Sequence, residues 1–99
     1  MTHPTVAHNR AHRADLIWAK AGRSEYLRSD GVVIRKHPTI AAWWEVFLPS
    51  GERPQYPSPL GNGEHYSALP ASAQSLHHAK EIAEHVTVDS PVYRPRGRA

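Results

Sequence analysis

Ser24-Glu25-Tyr26-Leu27-Arg28-Ser29-Asp30-Gly31-Val32-Val33-Ile34-Arg35-Lys36-His37 is the stretch that decides the fold. Residues 24–28 read as a strand. Asp30-Gly31 supplies the left-handed backbone that a tight hairpin turn demands, because glycine has no Cβ to clash there. Residues 32–37 return as a second strand, rich in the β-branched side chains that fit a pleated surface. Pro38 ends it, since proline has no N–H to give to a ladder.

Outward from the hairpin, Trp43-Trp44-Glu45-Val46-Phe47-Leu48 is a third strand. Trp44, Val46 and Leu48 share one face; Trp43, Glu45 and Phe47 share the other. Both faces are largely apolar, which marks a central strand or a strand with one binding face. Pro49-Ser50-Gly51 turns the chain. Pro54, Pro57, Pro59, Gly61 and Gly63 make residues 52–71 a long loop, with residues 65–69 a short extra strand inside it. Loops of this length in a small domain are commonly functional. Ser72 or Ser75 then caps a helix that runs to about Val88. Leu76, Ala79, Ile82, Ala83 and Val86 form its apolar stripe, while His77, Lys80, Glu81, Glu84 and His85 face out.

Toward the N-terminus, residues 1–4 read as frayed. Thr5 caps a helix over about 6–21, with Ala7, Ala11, Ala14, Ile17, Trp18 and Ala21 on one side and Gly22 as its stop. Leu16 falls off that stripe, and residues 15–18 fit a strand as well. Residues 89–99 read as an extended, disordered basic tail, because Pro91 and Pro95 oppose helix. The expected fold is α+β: a three-stranded antiparallel sheet, a C-terminal amphipathic helix packed on it, and an N-terminal helix, all in one domain spanning residues 5–88.

Composition narrows the function classes. The chain has 99 residues, 39% of them hydrophobic, enough for one domain with a limited core. It has no Cys, so a disulfide framework, a thiolate metal site and a thiol nucleophile are excluded. No apolar run approaches the ~20 residues of a membrane helix, and no signal pattern opens the chain. The expected location is the cytoplasm, with no membrane partner. Residues 1–53 carry eight basic and five acidic side chains, residues 54–93 one basic and four acidic, and the end adds Arg94, Arg96 and Arg98. The net charge of +3 therefore describes a polar body with a basic tail.

The eight His residues suggest metal chemistry, but the spacing opposes it. His77, Glu81 and His85 recur every four residues, spread over ~12 Å of helix axis, and cannot converge on one ion. Two-residue pairs, such as His77 with Glu81 or His8 with His12, lack a closed ligand set. His78 lies beside the first group. No Gly-x-Ser-x-Gly elbow is present, and Gly61-Asn62-Gly63 reads as a turn rather than a phosphate loop. The reading is of a protein without catalytic residues, resident metal or cofactor. The candidate binding surface is Tyr26, Arg28, Arg35, Trp43 and Phe47, on the sheet face away from the C-terminal helix, because aromatic and arginine side chains are what binding hot spots use. Packing of Trp43 and Phe47 under the N-terminal helix is the competing reading. The tail arginines Arg94, Arg96 and Arg98 suit phosphate contacts, with a salt slope of roughly −3 on logarithmic scales.

Three families share parts of this pattern. Helix, three strands, helix resembles the double-stranded RNA-binding domain, and Ala79-Lys80-Glu81-Ile82-Ala83 is similar to the end of its phosphate-gripping motif, with His77 and His78 where that family has lysines. Three strands and a helix also resemble the arm-type DNA-binding domains of tyrosine integrases, which would place Arg28, Arg35, Trp43 and Glu45 on a groove-reading sheet face. Tyr26-Leu27-Arg28-Ser29-Asp30-Gly31, Trp44-Glu45-Val46 and Ser75-Leu76-His77-His78-Ala79-Lys80 together resemble short accessory proteins of actinobacterial bacteriophages, over about residues 24–86. That resemblance implies an accessory role in infection through binding a host protein. Nucleic acid and a second copy of the chain are the alternative partners, and a metal-dependent enzyme rests on the His count alone.

Overall fold

A computed structural model of the chain describes residues 16–58 and 65–95. The hairpin forms as its sequence dictates. Strands β2 (Glu25–Arg28) and β3 (Val33–Lys36) pair antiparallel, with Tyr26 opposite Ile34 and Leu27 opposite Val33. The connection is Ser29-Asp30-Gly31: Arg28 N–H donates to Val32 O at 2.8 Å, Gly31 N–H donates to Arg28 O at 2.8 Å, and Gly31 has φ 101°. This is the longer hairpin loop in which glycine takes the left-handed position. The same turn recurs after β4 (Trp44–Phe47), where Gly51 has φ 92°, its N–H donates to Leu48 O at 2.8 Å, and Leu48 N–H donates to Glu52 O at 2.7 Å. The two turns lie against each other, and a Cβ added to Gly31 would stand 2.9 Å from Pro49 Cγ.

The sheet is larger than the expected three strands. Its order is β1-β2-β3-β4-β7, antiparallel throughout, with β1 at Trp18–Gly22 and β7 at Ser72–Ala73. β1 corrects the reading of residues 18–21 as the end of a helix. Trp-Ala-Lys-Ala alternates as well as it spirals, and β2 offers an open ladder on which Trp18 falls opposite Arg28 and Lys20 opposite Tyr26. Leu16 and Ile17 are not helical either, and the rest of that expected helix, with its Thr5 cap, lies outside the described residues. Within the expected loop, β6 (His65–Pro70) forms as anticipated and finds a partner in β5 (Gln55–Ser58), giving a separate two-stranded sheet. Pro57 sits opposite Tyr66 in this ribbon, which has no third strand to demand an N–H from it. Gly61-Asn62-Gly63 lies outside the described residues.

Helix α1 (Leu76–Ala83) is capped by Ser75, whose hydroxyl accepts His78 N–H at 3.0 Å. It ends one turn earlier than expected. Val86, Thr87 and Val88 are β-branched and poor helix formers, and Ser90 Oγ instead accepts Thr87 N–H at 2.9 Å. Ala79, Ile82 and Ala83 from the helix, Val86 beyond it, and Val32, Ile34, Val46 and Leu48 from the sheet side form one buried core, with Ala71 and Ala73 beside them. Residues 91–93, read as disordered tail, belong to the folded body. Val92 pairs with Pro54, Gln55 N–H donates to Pro91 O at 2.8 Å, and Tyr93 N–H donates to Arg53 O at 2.7 Å.

Arg28 joins the hairpin to the helix. Its side chain is buried on the helix side of the sheet, where its guanidinium donates to Ala83 O and Val86 O, each at 2.6 Å, and to both carboxylate oxygens of Asp30 at 2.8 Å. The last carbonyls of a helix have no partner within it, and a cation there is also favoured by the helix dipole. Arg28 satisfies both requirements from 55 residues away in sequence. Burial by itself raises the Asp30 carboxyl, but the hydrogen bond and charge of Arg28 outweigh it and hold Asp30 below its ordinary value.

Replacing Arg28 with Ala removes the guanidinium from Val86 O and from the Asp30 carboxylate and leaves Ala83 O with the Val86 N–H alone, and should cost about 3 kcal/mol or more; thermal denaturation should show a melting temperature lower by more than about 10 °C, with Arg28→Lys recovering only part. Because the folded Asp30 pKa is depressed, its contribution is complete above the unfolded value of 3.8 and is lost as pH falls from there through the folded value. Denaturant titrations should show a decline in stability across that acid window which Asp30→Asn reduces.

Candidate functional site

Strand alternation puts two rows of side chains on the face away from α1. Leu27, Val33 and Phe47 are aligned in one row; Glu25, Arg35, Glu45 and Ser72 are aligned in the next. Leu27 is 43% exposed and the Arg35 side chain 49%, so this face is open to solvent. Phe47 lies between two guanidinium groups, Arg35 at 4.8 Å and Arg53 at 4.9 Å from its ring centre. Arg35 Nε donates to Glu25 Oε1 at 3.2 Å across the β2–β3 pair.

Arg53 is fixed far more firmly. It donates to Val46 O at 2.8 Å, Glu45 Oε2 at 2.7 Å, Ala71 O at 2.6 Å and Ser72 Oγ at 2.7 Å. Burial pulls its pKa down and Glu45 pushes back, yet a guanidinium keeps its charge. These bonds staple the point where the chain leaves the sheet after β4 to the point where it returns as β7.

Beside this staple opens a cleft. Two adjoining hollows, of about 380 and 720 Å³, share Trp43, Tyr56 and Ser72 as lining. The smaller is bordered by Ile40, Leu69 and Pro70 and reaches Glu45; the larger extends to His78 and the cap of α1. Ile40 and Leu69 are 51% and 67% exposed, unusual for large aliphatic side chains beside a cavity. The loop before Trp43 is internally tied: His37 N–H donates to Trp43 O at 2.7 Å, and His37 Nδ1 accepts the N–H groups of Thr39 at 3.1 Å and Ile40 at 3.0 Å. Ala42, directly before Trp43, has φ 57°, a left-handed conformation that costs an L-residue of this kind about 1–2 kcal/mol. Strain of this sort collects at ligand sites.

The expected surface is thus divided. Arg35, Trp43 and Phe47 lie on the outer side, as read from the sequence. Tyr26 and Arg28 do not join them: Arg28 is buried against the helix end, and Tyr26 lies under Lys80 and beside Trp44 on the helix side. Their shared face was legible; which way it pointed was not, because a strand arginine is ordinarily exposed. Tyr56, Leu69 and Arg53 are additions from the proline-rich stretch, where no periodic signal marks them. Arg94 is exposed, with Glu52 at 3.7 Å, and Arg96 and Arg98 lie outside the described residues. Among the described residues no three His, Cys, Asp or Glu side chains gather as a metal site. His77 and His78 both lean on Glu81, at 3.6 and 3.4 Å. The chemistry on offer at the cleft is aromatic and aliphatic contact framed by hydrogen-bonding groups.

No protein-family model, curated protein or solved structure matches the chain.

Arg53→Ala should loosen the cleft by freeing β7 from β4. Loss of its charge-assisted bonds should cost roughly 2–4 kcal/mol, and hydrogen exchange should speed up at the Val46 amide, which donates to Ala71 O at 3.1 Å.

Proposed function

We propose that this chain is a non-catalytic binding protein that engages a host protein during phage infection, holding an apolar segment of that partner in the Trp43–Tyr56 cleft. The observation that carries the reading is the meeting of aromatic lining and exposed aliphatic rim at one place: Trp43 and Tyr56 inside, Ile40 and Leu69 at the border. Aromatic anchors in a concave, partly desolvated setting are what dominate protein–protein affinity. The left-handed Ala42 directly before Trp43 favours the same reading, since an energetic cost localised next to an anchor residue fits a site shaped for recognition. The bacteriophage setting rests on the resemblance of the hairpin, the Trp44-Glu45-Val46 strand and the Ser75–Lys80 stretch, and the cytoplasm of the infected cell is the corresponding location.

Affinity capture from an actinobacterial lysate should enrich a protein with the intact chain and not with the Trp43→Ala/Leu69→Glu variant, provided circular dichroism and melting show that variant to be folded. A set of captured proteins identical for both chains would overturn the assignment of the cleft.

A further inference from the structure

The arginines of the described body are almost all committed. Arg28 pairs with Asp30, Arg35 with Glu25, Arg53 with Glu45 and Arg94 with Glu52. Among the described residues, the cations left without an ion pair are Lys20, Arg23, Lys36 and Lys80. They are not scattered. Lys20 is opposite Tyr26 on the β1–β2 ladder, and Lys36 is opposite Trp44 on the β3–β4 ladder. Lys80 Nζ lies 5.0 Å from the centre of the Tyr26 ring, and the Tyr26 and Trp44 rings are 6.2 Å apart. Arg23 sits in the β1–β2 turn beside Ser24, whose carbonyl accepts Lys36 N–H at 2.9 Å. Strand spacing puts the Lys20 and Lys36 Cα atoms about 12 Å apart, with Lys80 above the ground between them.

Among the described residues no acid forms an ion pair with these four cations. Glu25 and Glu45 are on the opposite face, each with its own arginine. Glu81 is shared by His77 and His78. Glu84, one turn past Lys80, marks the limit of the patch. Four cations without ion pairs on one corner form a local positive field suited to a polyanion.

We propose that this corner, formed by Lys20, Arg23, Lys36 and Lys80, binds the phosphate backbone of duplex nucleic acid. Lysine meets phosphate as a mobile point charge and reads no base. The aromatic rings here are spoken for, Tyr26 between Lys80 and Trp44, so they offer no open platform for stacking single-stranded bases. The surface lies across the sheet from Phe47 and Arg35 and stands independently of the cleft and its protein partner.

The test is fluorescence anisotropy of labelled duplex DNA and duplex RNA against the full chain over a range of salt, with the corresponding single strands in parallel. Lys20 and Lys36 are exposed and make no core contact, so the Lys20→Gln/Lys36→Gln variant should fold. It should bind duplex at least tenfold more weakly at low salt, with a log–log salt slope shallower by about 1.8 if each lysine meets one phosphate. The cleft variant Trp43→Ala/Leu69→Glu should bind duplex as the parent does, which separates this surface from the proposed protein site. An Arg94→Gln/Arg96→Gln/Arg98→Gln variant should retain most of the binding. Absence of duplex binding at low salt, binding confined to single strands, or binding lost with the tail arginines and kept without the two lysines would each overturn the proposal.

Discussion

The fold depends on one buried guanidinium. Arg28 leaves water to sit where the helix ends, and a charge in that position is tolerable only when acceptors surround it. Ala83 O, Val86 O and the Asp30 carboxylate provide them. The requirement works in both directions. The helix must stop where its carbonyls meet the arginine, and the first hairpin turn must hold Asp30 within reach. Arg53 repeats the device at the other end of the sheet, gathering two carbonyls, a hydroxyl and a carboxylate around the place where the β5–β6 ribbon departs and returns. A core built largely of Val and Ala has modest apolar area to offer, and these two polar staples supply direction that such packing lacks.

Local chemistry made half of this legible. Asp30-Gly31, the β-branched run after it, the alternating Trp44-Val46-Leu48 face and the serine cap of α1 each carry a rule that acts over a few residues, and the structure obeys them. What escaped was set by partners distant in the chain. Residues 18–22 become a strand because β2 has a free ladder, not because alanine and lysine prefer one. Arg28 points inward because a helix end more than fifty residues later receives it. Pro57 argues against a strand, yet a ribbon of two strands leaves room for it, and Pro54 stands just before that ribbon in a bridge to Val92. The end of α1 was misplaced for the same reason: its apolar stripe continues through Val86 while its backbone does not.

The candidate surface was legible in kind rather than in place. Aromatic and arginine side chains do concentrate on β3 and β4, and Arg35, Trp43 and Phe47 do share a face. The pattern could not separate arginines that are occupied from cations that are available, because that distinction is made by Glu25, Glu45, Glu52 and Asp30 across turns and ladders. Once those pairs are drawn, the two sides of the sheet have different characters. One bears an apolar cleft beside paired charges, and the other bears uncommitted lysines around covered rings.

Among the described residues β1 is an edge strand of the sheet, and its composition has a consequence for how copies of the chain meet. Such a strand carries unsatisfied N–H and C=O groups and is a template onto which a foreign strand can be added. Here the template is short and poor. The ladder slips between Lys20 and Gly22, the outward-facing side chains are the methyl groups of alanine, and a lysine stands in the middle. An incoming strand would have a charge to desolvate. The same Lys20 that stands in the cationic corner therefore also disfavours the addition of a foreign strand at this margin.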